Sequence, residues 1–239
     1  MTALRSLLFQ VAFFAATTIL CFLYIPLLLL PRRVVVKAVL FWSYVVMFLL
    51  RVIVGLTWKV EGGEHLPKGG FLVASKHQSA WETIVFNIVF HDPALVMKQE
   101  LSRLPLWGLY AKFAGHIAID RKGGAATLRA MTAAAKNALA EERPVVIFPQ
   151  GTRVPPGARG AGVPYQPGVA ALYGALNVPV LPVALNSGLF WRRSPFSKKP
   201  GCITVQFLPP LPPHQDKRRV LAELAEKIET ATTVLETRG

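Results

Sequence analysis

The chain has 239 residues, 52% of them hydrophobic, and its 27 lysines and arginines against 13 acidic residues give a net charge of +14. That apolar content excludes an ordinary water-soluble domain, and two cysteines without framework spacing exclude a disulfide scaffold and suit a reducing compartment. The charge admits nucleic acid, anionic lipid or a phosphorylated substrate as partner, but the basic residues are scattered and no recognition motif marks a specific nucleic-acid site.

The apolar excess lies at the N-terminus. Leu7 to Leu30 holds one strongly polar side chain, Gln10. As a helix this run would be about 36 Å long, against about 30 Å for a bilayer core. Pro31-Arg32-Arg33 then breaks it, and a second apolar run covers Val34 to Leu56. Lys37, Tyr44 and Arg51 recur in it every seven residues, a narrow polar stripe suited to a helix lying in an interface or packed on a domain. Residues 1–56 are therefore expected to form a membrane-anchoring helical hairpin. Arginines at its turn favour a monotopic anchor on the cytoplasmic face of the inner cell membrane, with one or two true spans as the alternative. The run is too long for a secretory signal, and no small-residue cleavage site follows it.

From residue 57 to 239 the pattern alternates. Strands are expected at 57–60, 71–74, 94–97, 116–119, 145–148, 180–185 and 203–207. Helices are expected at 81–90, 101–113, 124–141, 168–176 and 216–237. This alternation predicts one α/β domain with a mostly parallel central sheet flanked by helices. The Pro- and Gly-rich stretch from Val154 to Pro167 reads as a binding loop or lid.

Four segments carry chemistry. Lys76-His77-Gln78-Ser79-Ala80-Trp81-Glu82 sits at a strand-to-helix junction. On one helix, positions five apart lie about 140° from each other. With His77 in the loop and Glu82 in the first helical turn, the carboxylate can reach back to the imidazole, and the other ring nitrogen is left to take a proton from an alcohol. Ser79 and Glu82 also fit a capping box, a purely structural role. The second segment, Gly115 to Arg121, ends a strand in Asp120-Arg121. The third, Phe148-Pro149-Gln150-Gly151-Thr152-Arg153, follows an apolar strand. Its Gly151 allows close backbone approach, Thr152 offers a hydroxyl and Arg153 a bidentate fork for phosphate. The fourth, Val178 to Val183, is structural by default and can otherwise line an apolar channel. Lys98 closes a further strand and can point at the same site. No His or Cys spacing suggests a metal.

These blocks, H-x-x-x-x-acid, G-x-I-x-I-D-R, F-P-x-G-T-R and V-P-V-x-P-V, resemble in order and spacing those of the glycerolipid acyltransferases, most closely the bacterial 1-acyl-glycerol-3-phosphate acyltransferases. The resemblance implies catalysis by His77 and Glu82. It implies phosphate binding by Arg121 and Arg153, with Gly151 and Thr152 shaping the same place. It further implies acyl transfer from acyl-CoA or acyl carrier protein to the sn-2 hydroxyl of lysophosphatidic acid, with no cofactor or metal, at a membrane whose lipids are the main partner. Other lysolipids remain an alternative acceptor, and an inactive lipid-binding homologue a further one. Two positions depart from the family's pattern: Glu82 stands where Asp is usual, and Gln150 where Glu is usual.

Overall fold

A computed structural model describes residues 2–120, 123–158, 164–194 and 196–238. It begins with helix α1 (Thr2–Leu23), which stops seven residues short of the end of its apolar run. A 3-10 turn over Ile25–Leu29 follows, with a proline at its start. Pro26 has no amide hydrogen to donate and its ring clashes with the preceding turn, so the α-helix cannot continue through it. Helix α2 (Arg32–Leu49) runs back along α1 and ends in a π-helical turn, Leu50–Val54, closed by Gly55 at φ 79°.

Both helices are long and apolar enough to cross a membrane. Leu4, Leu8, Val11, Phe14, Phe22 and Leu23 of α1 are exposed, an apolar face of the size that marks a protein or lipid contact. Lys37, Tyr44 and Arg51 are exposed as well, so the polar stripe of α2 faces outward as its spacing predicts. The inner faces are docked. Phe9 is fully buried in one cluster with Val46, Met47, Leu50 and Trp191. Arg32, at the hairpin turn, forks onto Asp92 with two contacts of 2.9 Å and reaches Glu141 at 3.2 Å. Arg143 joins Asp92 at 3.1 Å.

The rest of the chain folds as β1 (Leu56–Glu61), β2 (Leu72–Ser75), α3 (Trp81–Phe90), β3 (Ala94–Lys98), α4 (Trp107–Phe113), β4 (Ile117–Ile119), α5 (Gly124–Ala140), β5 (Val145–Ile147), α6 (Pro167–Leu176), β6 (Val180–Leu185), α7 (Ser187–Phe190), β7 (Gly201–Phe207) and α8 (Lys217–Arg238). Among the described residues the seven strands form one sheet in the order β1-β7-β6-β2-β5-β3-β4. Every pairing is parallel except β6 with β7. The expected helix over 101–113 divides into a 3-10 turn, Gln99–Arg103, and α4. Pro105 and Leu106, the latter at φ 56°, account for the break.

Strands β2, β5 and β6 are buried on both faces and are correspondingly rich in valine, leucine and isoleucine. Alternate residues feed two cores. Val73 and Val146 face the cluster formed by α3 and the N-terminal hairpin. Leu72, Ala74, Val145 and Ile147 face the cluster formed by α5, α6 and α8. Pro182 lies within this buried sheet, so the fourth block is structural and does not line a channel.

Candidate active site

β2 lies between β5 and β6, so the loops that leave their carboxyl ends are neighbours. His77 follows β2, the Phe148–Arg153 turn follows β5, and Asn186-Ser187 follow β6. Backbone hydrogen bonds lock them together. Lys76 N–H donates to Val183 O at 2.9 Å, and Val154 N–H donates to His77 O at 2.7 Å. Gly151, at φ 69°, lets the third block turn tightly. The His77 ring stacks on Phe148 with centroids 4.1 Å apart and planes 23° apart.

Glu82 lies beneath this layer with no exposed surface. Its Oε1 accepts the Gln78 N–H at 2.7 Å, the Ser79 N–H at 2.9 Å and the Ser187 hydroxyl at 2.8 Å. The Ser79 hydroxyl in turn accepts the Trp81 N–H at 3.2 Å. The expected capping box is therefore only half formed: Glu82 reaches back to the Ser79 N–H, but the helix begins after Ala80, which offers no side-chain cap, and the Ser79 hydroxyl meets Trp81 and not Glu82. The same Oε1 is 4.0 Å from His77 Nδ1. That separation is too long for a hydrogen bond but close for a charge interaction in a buried setting. Burial pushes the Glu82 carboxyl up to about 7, against the pull of its hydrogen-bond donors.

Above His77 a cavity of about 1290 Å³ opens, larger than most small-molecule sites. His77, Lys98, Gly151, Thr152 and Arg153 all line it. Strand ends thus deliver four of the expected anion-binding residues to one place, beside the His77 that Glu82 backs. Arg121 lies outside the described residues. Much of the remaining wall is apolar, with Phe13, Phe14 and Leu20 from α1, Trp42 from α2, and Leu104 and Trp107 from the α4 region, while Arg193, Asn87, Gln150 and Gln166 also line it. His116 also reaches the wall. Burial holds it down to about 4, so it stays neutral, and its Nδ1 accepts the Leu95 N–H at 3.3 Å.

Several neighbours of the site give no signal in the sequence. Phe148 belongs to the third block and Ser187 lies past the fourth, yet their contacts with His77 and Glu82 depend on the order of β5, β2 and β6. Trp107 and Tyr110, on an apolar helix, line the cavity, and Tyr110 donates its hydroxyl to Cys21 O at 2.6 Å.

Comparison with known proteins gives consistent matches. The acyltransferase family model matches residues 57–186. A 1-acyl-sn-glycerol-3-phosphate acyltransferase of Pseudomonas aeruginosa is 34% identical over 188 residues, 79% of this chain and 72% of that protein. A protein of the same name from Limnanthes douglasii is 31% identical over 66% of this chain and 56% of its own length. The crystal structure of the 1-acyl-sn-glycerophosphate (LPA) acyltransferase PlsC from Thermotoga maritima superposes with a TM-score of 0.79 over 99% of both chains, at 21% identity.

Proposed function

The chain belongs to the acyltransferase family, and from that premise we propose that it acylates the sn-2 hydroxyl of 1-acyl-glycerol-3-phosphate to give phosphatidic acid. The observation that carries this reading is one cavity lined both by His77, Arg153 and Lys98 and by apolar side chains of both N-terminal helices. Such a space suits a ligand with a charged head and a long hydrocarbon tail.

In the proposed reaction the glycerol hydroxyl attacks the carbonyl carbon of an acyl thioester. His77 takes the hydroxyl proton as the new C–O bond forms. The C–S bond then breaks, and the imidazolium returns that proton to the departing thiolate. General base catalysis of this kind contributes on the order of 10²–10⁴-fold. Glu82 steadies the imidazolium across 4.0 Å. Because the acceptor alcohol attacks directly, no serine or cysteine nucleophile, cofactor or metal is required. Arg153 and Lys98, with Gly151, Thr152 and Arg121, hold the phosphate monoester and so place the hydroxyl beside His77.

The exposed apolar face of the N-terminal helices supports membrane association, with the lysolipid delivered from the bilayer. The donor, acyl-CoA or acyl carrier protein, is anionic and arrives from the cytosol toward a chain of charge +14. Purified protein in detergent, given a panel of lysolipids and both donors, tests the reading. It predicts phosphatidic acid from lysophosphatidic acid in preference to products from neutral lysolipids. Equal turnover of lysophosphatidylcholine or a lyso-ornithine lipid would remove the phosphate-monoester assignment.

A further inference from the structure

α8 approaches the site from the opposite face of the sheet. Lys76, just past the end of β2, points at α8 with 1% of its surface exposed. Its Nζ lies 2.8 Å from Oε1 and 2.7 Å from Oε2 of Glu229. Gln150 Nε2 donates to the same carboxylate at 3.1 Å, and the Tyr165 hydroxyl donates to it at 3.0 Å. Two turns further along α8, Glu236 accepts Gln78 Nε2 at 2.6 Å and the Gly157 N–H at 3.1 Å. Two carboxylates of one helix therefore grip the residues on either side of His77 and fasten both to the loop that carries the third block.

A lysine buried this deeply needs a counter-charge within contact distance. Glu229 is the carboxylate that touches Lys76, and Gln150 meets that carboxylate through its amide. A carboxylate at position 150 would lie about 3 Å from Glu229, two anions to one cation, and one would be forced to take up a proton. We infer that Glu229 is a positioning residue of the reaction: it holds the negative charge that the third block lacks at Gln150, and through Lys76 and Gln150 it sets His77 and the Gly151–Arg153 turn in register. This inference rests on the acyl-transfer reading and adds a residue from outside all four blocks.

A charge exchange tests it. Wild type, Glu229→Gln, Gln150→Glu and the double variant are compared by steady-state kinetics on 1-acyl-glycerol-3-phosphate with a thioester donor, and each melting temperature is recorded. Each single variant is expected to lose about tenfold or more in kcat and to raise KM for the lysolipid by about threefold or more, because His77 and the phosphate-binding turn lose their register together. The double variant restores one carboxylate beside Lys76 and is expected to regain kcat to within about threefold of wild type. Unchanged kcat in Glu229→Gln overturns the inference, as does a double variant that fails to fold or stays as slow as the worse single one. If wild type acylates no lysolipid, the functional reading falls instead. The melting temperatures then decide the charge relation alone, with recovery in the double variant supporting it and no recovery ending it.

Discussion

The imidazole of His77 is fixed by its backbone, by its stacking on Phe148 and by the carboxylate below it. Little of the fold depends on the ring itself, so His77→Ala is expected to lower turnover by about 10²-fold or more while leaving the melting temperature close to wild type. Near-normal turnover would end its role as base. Glu82 both braces the Gln78–Ser79 backbone and carries a charge, and pH separates the two. A carboxyl raised to about 7 is still gaining charge where an ordinary one is fully ionised. The activity of wild type should therefore climb between about pH 6 and pH 8, and Glu82→Gln should lie lower and climb less across the same range. For stability the sign is opposite. The folded state holds the Glu82 proton more tightly than the unfolded chain, so this contribution is fully present below about pH 4.5 and fades as pH rises through about 7. Thermal melts of Glu82→Gln across this range should show a flatter profile than wild type. Arg153→Ala should raise KM for lysophosphatidic acid by about tenfold or more with little effect on a neutral lysolipid. Equal losses on both would deny it a phosphate. His77, Glu82 and the third block were all legible, because each motif lies within seven residues of chain. Lys76, Gln150 and Glu229 were not read as a group, because 153 residues separate Lys76 from its partner.

Elements whose order comes from local sequence were read best. Trp81–Phe90 and Val180–Leu185 have the expected bounds, since apolar runs of these lengths end at clear breakers. The four-residue α7 is too short to show a period, yet it begins with the serine that reaches Glu82. The docking of α1 was invisible for another reason. Its apolar composition is the same whether a residue meets lipid or protein, and only the fold shows that Phe9 is the one packed edge-to-face on Trp191 with centroids 5.4 Å apart. Lys198 secures the same place, with its Nζ 3.0 Å from Gln10 Oε1 and 5.2 Å from the Phe9 ring centre. Phe9→Ala should therefore cost about 3–5 kcal/mol, as other large core truncations do, whereas Leu8→Ala on the exposed side should cost little in detergent. Chemical denaturation in mild detergent measures both.

For the molecule as a whole, the sequence places an anchor before a catalytic domain, but the two share a core. Phe9, Val46, Met47, Leu50 and Val54 pack with residues of α3, β6 and β7. Removing residues 1–55 should leave an aggregating product and not a soluble enzyme, which gel filtration of the truncated protein can check. Charge adds a second contact with lipid. Each basic residue near an anionic surface contributes about 1 kcal/mol, so binding to vesicles containing phosphatidylglycerol should exceed binding to neutral vesicles and the difference should shrink with salt. The first and last strands, β1 and β7, are partners along six residue pairs. A growing polypeptide leaving the ribosome therefore holds its histidine long before it holds the strand that closes the sheet or the glutamate that fixes the loop. Nascent and prematurely terminated products should be silent, and a cell that clears them loses no working enzyme.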